Sequence, residues 1–251
     1  MSARTATEGW SRDDLAASPH DDAAKADKVR TMFGAIARRY DLNNRLHSFG
    51  RDQAWRRQAV RAAGVRPGDR VLDMACGTGD LTKLLSRTPA ARVVGGDFTP
   101  EMLEIARVKN AAPTAEYVQA DAMALPFEDT SFDVLTIAFG IRNVTDPAAA
   151  LREFNRVLAP GGRLVILEFA TPKSRIVRTG NALYTQRIMP LTAGLIARDR
   201  TGAYRYLPRS IETFLQPPAM LQAMQDAGFT ETTATPMTLG VCVCYRGVRT
   251  G

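Results

Sequence analysis

The segment Val71-Leu72-Asp73-Met74-Ala75-Cys76-Gly77-Thr78-Gly79-Asp80 constrains this chain more than any other. A short apolar run ends in two closely spaced glycines, and a helical pattern follows from Asp80. That is a strand-turn-helix unit whose backbone can approach a ligand at a distance that side chains at 77 and 79 would forbid. A dinucleotide fingerprint needs a third glycine where Thr82 stands, and a phosphate-binding loop needs a Gly-Lys-Ser/Thr that is missing. Asp73 and Asp80 would also repel a triphosphate.

Acids around a glycine turn suit a ligand that is cationic or rich in hydroxyls. S-adenosylmethionine offers a sulfonium, an amino group and a ribose. Asp97, which ends Arg92-Val93-Val94-Gly95-Gly96, lies twenty positions after Gly77, where a strand-end acid accepts both ribose hydroxyls. Asp121 ends the run Tyr117-Val118-Gln119-Ala120 and precedes Ala122. Each acid alone reads equally as a turn or helix-cap residue; three in register at one sheet edge form a cofactor constellation.

Strand-like runs at 70–75, 92–96, 116–120, 132–139 and 162–169 alternate with helical patterns at 80–87, 100–109 and 147–158. This is the rhythm of a parallel, doubly wound α/β sheet, which binds ligands at the carboxyl ends of its strands. A helix over 219–227 precedes two strands, 230–238 and 241–246, too close together for anything but a hairpin. Seven strands, mostly parallel with the last antiparallel, match by analogy the class I S-adenosylmethionine-dependent methyltransferase fold.

The 251 residues are enough for one large core, and we expect one domain over 25–251. Residues 25–66 should form a helical cap and 173–216 an element inserted on the substrate side. Residues 1–24, polar and holding four Asp, read as a disordered tail and not as a signal peptide. No apolar run reaches the length of a membrane span, so the expected location is the cytoplasm, peripheral to a membrane. Cys242 and Cys244 lie on one face of a strand and read as buried structural residues; no metal site is expected.

Charge is unevenly distributed. Residues 71–141 hold five Lys/Arg against ten Asp/Glu, whereas 30–70 hold ten against three and 142–209 hold twelve against four. A basic cap over an acidic cofactor region implies an anionic partner, either phospholipid headgroups or nucleic acid, unless it is ordinary solvated surface. The basic segments are also apolar. Val29, Met32, Phe33 and Ile36 recur at helical spacing, and Leu183, Tyr184, Ile188, Met189, Leu191, Leu195 and Ile196 lie among Arg187 and Arg198, a composition suited to a lipid-tailed substrate.

From about Val29 to Gly247 the chain resembles the ubiquinone/menaquinone biosynthesis C-methyltransferase family, whose members methylate a ring carbon of a polyprenylated quinol. The resemblance rests on Met32-Phe33-Gly34 through Tyr40-Asp41-Leu42-Asn43-Asn44, Ser48-Phe49-Gly50 with Trp55-Arg56-Arg57, and the cofactor turn. Further matching pieces are Asp121 to Phe127, Phe139-Gly140-Ile141-Arg142-Asn143-Val144-Thr145-Asp146, Pro160 to Arg163, Tyr204 to Ile211 and Tyr245-Arg246-Gly247. It implies that Thr78, Asp97, Asp121 and Ala122 contact S-adenosylmethionine. Ala138 stands where the family has a serine, which puts one cofactor contact in doubt. Arg209 replaces an acid, and His47 reads as a boundary residue.

Methylating an aromatic carbon requires the neighbouring hydroxyl to be ionised or strongly polarised. Arg142, just after the fourth strand, is expected to bind the developing phenolate, because an arginine does not deprotonate in proteins. Asn143 and Tyr40 would orient the other ring oxygen, and Asp146 or water would take the proton. The alternative is a nucleic-acid methyltransferase. An amino methylase calls for an Asn/Asp/Ser-Pro-Pro-Tyr/Phe motif after the fourth strand, where Gly140-Ile141-Arg142-Asn143 stands; a pyrimidine C5 methylase calls for a cysteine in that region, and none lies between 77 and 241.

Overall fold

The computed structural model describes residues 9–11, 13–16, 18–188 and 202–251. Seven strands form one sheet: β1 (Arg70–Met74), β2 (Arg92–Asp97), β3 (Ala115–Gln119), β4 (Phe132–Ala138), β5 (Leu158–Phe169), β6 (Phe229–Met237) and β7 (Cys242–Arg249). Their order is β3-β2-β1-β4-β5-β7-β6. β1 to β5 are parallel; β7 runs antiparallel to both β5 and β6. The sequence expectation of a terminal hairpin holds, and the reversed strand lies inside the sheet with β6 at the edge.

Alternation along the strands sorts the core into two layers. Leu72 and Val94 enter one cluster, with Leu151, Phe154, Met220 and Met224, while Val71 and Val93 enter the other, with Trp55, Ala59 and Leu85. Every one of these side chains is at most 5 % exposed. Burying an aliphatic or aromatic side chain of this size stabilises the fold by about 1.5–3 kcal/mol, and both faces of the central strands are covered, as a parallel sheet requires.

α1 (Lys25–Ile36), α2 (Tyr40–His47) and α3 (Arg51–Ala63) precede β1. α4 (Asp80–Leu85), α5 (Pro100–Lys109) and α6 (Pro147–Val157) follow β1, β2 and β4. Pro100 and Pro147 stand in the first turns of α5 and α6, where a missing N–H costs nothing. α7 (Arg175–Leu183) runs into a π-helical turn, Tyr184–Ile188, and α8 (Ala203–Glu212) and α9 (Pro217–Asp226) precede β6. Met189, Leu191, Leu195, Ile196 and Arg198, expected to form part of the apolar insert, lie outside the described residues.

The described part of the N-terminal segment departs from the disordered tail expected there. Trp10 is 1 % exposed and stacks on Tyr206 of α8 at 4.6 Å, in a cluster with Val29, Met32 and Ala203. One tryptophan in a polar stretch makes no periodic pattern, yet it has enough apolar area to anchor a segment.

Candidate active site at the carboxyl ends of the strands

The turn after β1 is held from both sides. Gly77 and Gly79 adopt φ of 56° and 81°, the left-handed region open to glycine at least cost. A Cβ on Gly79 would come within 2.8 Å of the Tyr117 hydroxyl. Asp97 Oδ2 accepts the Gly77 N–H at 2.7 Å and Oδ1 accepts the Thr99 N–H at 2.9 Å. The carboxylate therefore fixes the turn to the end of β2, and burial raises its pKa.

A cavity of about 110 Å³ opens over this turn. Gly77, Asp97, Phe98, Met102, Asp121, Ala122, Ala138 and Asn143 are among its walls. Asp121 Oδ1 also accepts the Met123 N–H at 2.9 Å, which closes the turn after β3. Two carboxylates beside apolar walls suit a nucleoside that carries a sulfonium.

Three residues expected at the cofactor are placed differently. Asp73 lies beneath the turn, 1 % exposed and outside the lining of either cavity described here. It accepts the hydroxyls of Thr82 at 2.6 Å and Thr136 at 2.7 Å, and burial lifts its pKa to about 6. Asp73 is a brace between β1, β4 and α4. Thr78 is also buried, its hydroxyl donating to Asp41 of α2 at 2.5 Å. Lys109 of α5 then bridges Asp41, at 2.6 Å, and Asp80, so these side chains tie the cap to the turn. Gly79, excluded from the cavity walls, gives room to Tyr117.

A second cavity, of about 160 Å³, lies under α1, α2 and α3. Phe33, Tyr40 and Phe139 line both cavities and so stand at their junction. Phe139 and Phe169 lie 4.6 Å apart by ring centroids. Tyr206 donates to Asn143 Oδ1 at 2.9 Å, and the Asn143 amide donates to the Phe139 carbonyl at 3.2 Å. Tyr40 and Arg142 line this cavity, and Tyr40 and Asn143 line the donor-side one.

Arg142, expected from sequence to bind a developing phenolate, is itself buried and paired. It is 4 % exposed, and its Nη1 donates to Glu168 Oε1 at 2.8 Å and to the Phe139 carbonyl at 2.7 Å. Glu168, 1 % exposed, offsets the charge, so Arg142 offers hydrogen-bond donors and no net positive charge. Asp146 is exposed, lines neither cavity and accepts the Ala149 N–H at 2.9 Å as the cap of α6. The structure therefore removes it as the base.

Other residues of the site were not singled out from sequence. Asn43 and Arg56 line the cap cavity, and His47, read as a boundary residue, lines it beside Tyr184. Lys25, fully buried, donates to the Val144 carbonyl at 2.5 Å and lies 3.2 Å from His20 Nδ1. Burial lowers its pKa to about 8. Arg209 pairs with Glu212 and donates to the Ala16 carbonyl. Cys242 and Cys244 are buried in one apolar cluster.

Known proteins resemble the chain in fold and in sequence. The solved structure of a possible histamine N-methyltransferase from Thermotoga maritima, an S-adenosylmethionine-dependent methyltransferase, superposes with a TM-score of 0.61 at 20% identity over 88% of this chain and 99% of that one. A demethylmenaquinone methyltransferase of Thermus thermophilus is 50% identical over 87% of this chain and its own whole length. A ubiquinone/menaquinone biosynthesis C-methyltransferase of Shewanella frigidimarina is 43% identical over 90% of this chain and 92% of its own. With a model of the ubiE/COQ5 methyltransferase family matching residues 21–249, the chain belongs to that family.

Proposed function

We propose that this protein transfers a methyl group from S-adenosylmethionine to a ring carbon of a polyprenylated quinol in quinone biosynthesis. The observation that carries the reading is the pair of cavities joined at Phe33, Tyr40 and Phe139: an acid-edged one over the glycine turn and a largely apolar one under the cap. The family supports it, as do relatives named for demethylmenaquinone and for ubiquinone/menaquinone biosynthesis.

S-adenosylmethionine supplies an electrophilic methyl on sulfur. The ring carbon beside an ionised oxygen forms the new carbon-carbon bond as the sulfur-carbon bond breaks, its electron pair staying on sulfur. The ring proton then leaves to water and aromaticity returns. Asp97, Asp121, Gly77, Ala122 and Ala138 hold the donor side. Tyr40 and Asn143 orient the ring, and the Arg142 donors hold one of its oxygens. The aromatic junction of Phe33, Tyr40 and Phe139 favours a step in which opposite charges disappear, and alignment there lowers the barrier by about 7–11 kcal/mol.

The prenyl tail leaves along α2 and α7. Leu42 and Leu46, one turn apart on α2, are 54 % and 47 % exposed, Phe49 beyond them is 79 % exposed, and Leu183 of α7 is 53 % exposed. Phe49 packs 5.5 Å from Tyr184, which lines the cap cavity, and the exposed Arg45 and Arg51 flank it. Apolar side chains rimmed by arginine fit an anionic membrane surface. No helix of the described residues is long and apolar enough to cross a membrane.

Mass spectrometry of lipids from a deletion strain tests the reading. A demethylated quinone should accumulate, and its naphthoquinone or benzoquinone ring identifies the substrate. An unchanged quinone pool with undermethylated RNA would replace the reading with the nucleic-acid one.

A further inference from the structure

The cap cavity contains a second guanidinium, one that no ion pair among the described residues holds. Arg56 of α3 is 7 % exposed and lines the cavity, and it forms no ion pair among the described residues. Its Nε is buried and without a hydrogen-bond partner there. The guanidinium carbon lies 5.3 Å from the centroid of Phe139, the ring at the junction with the donor cavity. Asp52, one turn earlier on α3, receives bonds from Ser48 and Gln53 and does not pair with Arg56. Asp80 bonds Lys109 and Gln53, and Asp73 bonds Thr82 and Thr136, so both carboxylates act on Arg56 only through space.

Asn43 of α2 repeats the pattern. It is 4 % exposed and lines the same cavity, and neither its Oδ1 nor its Nδ2 has a partner among the described residues. A buried charge or amide left without partners carries a desolvation cost that a ligand can repay. These two residues therefore mark an unsatisfied polar site in a largely apolar chamber. Arg142 lines the same cavity, its guanidinium carbon 5.5 Å from Phe169, the ring that neighbours Phe139.

We infer that Arg56, assisted by Asn43, binds the ionised oxygen of the quinol, while Arg142, neutralised by Glu168, donates to the oxygen that keeps its proton. A 1,4-diol ring presents two oxygens on opposite sides, and the cavity presents two guanidinium groups, of which Arg142 is held in a direct ion pair and Arg56, among the described residues, is not. Arg56 therefore lowers the pKa of the hydroxyl that activates the ring, a role nearer to chemistry than simple positioning. This inference rests on the quinol reading proposed above.

The experiment uses full-length protein saturated with S-adenosylhomocysteine, with 1-naphthol as probe, because the naphtholate absorbs at longer wavelength than the neutral form. Wild type should bind the probe and lower its pKa by about one unit or more. Arg56→Gln should abolish the shift and Arg56→Lys retain most of it, with S-adenosylhomocysteine affinity and melting temperature recorded for each. Turnover of a short-chain naphthoquinol by Arg56→Gln should fall by about 10²–10³ near neutral pH and recover in part at alkaline pH, as the substrate ionises unaided. An equal naphthol pKa on wild type and Arg56→Gln, or no lowering on wild type, would overturn the role of Arg56 while leaving the quinol reading intact. Wild type that binds S-adenosylhomocysteine yet neither naphthol nor the quinol would instead overturn the quinol reading.

Discussion

Replacing Arg142 by methionine should cost stability before it reports on catalysis. The Arg142–Glu168 contact is 2.8 Å, and the two side chains are 5 % and 1 % exposed. Glu168 Oε1 also accepts the Phe169 N–H at 2.8 Å, so the carboxylate cannot swing out to water without losing that bond. Removing the arginine leaves a buried carboxylate uncompensated, a loss of about 3–5 kcal/mol. For a chain of this length, at about 2 °C per kcal/mol, the melting temperature should drop by roughly 6–10 °C.

Burial already raises the Glu168 pKa, with Arg142 opposing. In the single variant the folded-state pKa rises further above the unfolded one, so the penalty is present at neutral pH and shrinks as pH falls and Glu168 protonates. Arg142→Met/Glu168→Gln removes both charges but keeps an acceptor for Phe169, and it should regain at least half of the lost stability. Differential scanning calorimetry with single-turnover assays on the same preparations separates folding from chemistry. Turnover should stay about 10²–10³ below wild type in the double variant, with S-adenosylmethionine affinity within about threefold. Single and double variants that melt together with wild type would refute the buried-pair argument, and a double variant that turns over normally would remove Arg142 from the substrate.

Asp97→Ala removes the acceptor for Gly77 and Thr99 as well as a wall of the donor cavity, so calorimetry should show S-adenosylmethionine affinity reduced by about 1.5–3 kcal/mol; unchanged affinity would take Asp97 out of the site. Lys25 has a folded pKa of about 8, below its unfolded value, so its relative stability rises as pH passes from 8 toward 10.5. The shift corresponds to roughly 3 kcal/mol, so the stability of wild type relative to Lys25→Met should climb by about that much over the window, and parallel pH profiles would show that Lys25 titrates normally. The protein should sediment with anionic vesicles more than with neutral ones and be released by salt, and Leu46→Ser/Phe49→Ser should weaken the association; equal sedimentation with both vesicle types would contradict the membrane-facing surface.

What could be read from sequence depended on how local its cause was. The turn at Gly77 and Gly79 and the strand-end acids Asp97 and Asp121 are set by spacing within single strand-turn units, and they line or shape the donor cavity. Asp73 carries the same local signature, yet its partner Thr136 is its cross-strand neighbour on β4, sixty-three residues away. Only the strand order makes Asp73 a brace. Asn43 and Arg56 sat in recognisable pieces but acquired a role only when α2 and α3 closed over Phe139. Asp146 shows the converse: Asp before Pro147 is a helix-start signal, and the helix cap is what it became.

The most direct test of the central claim is anaerobic incubation of the purified protein with S-adenosylmethionine carrying a ¹³C-labelled methyl and a short-chain demethylated quinol, read by ¹³C–¹H NMR. One labelled methyl bonded to a ring carbon is expected, with S-adenosylhomocysteine released in equal amount. Label on a ring oxygen, or cofactor bound without transfer to the quinol, would contradict it.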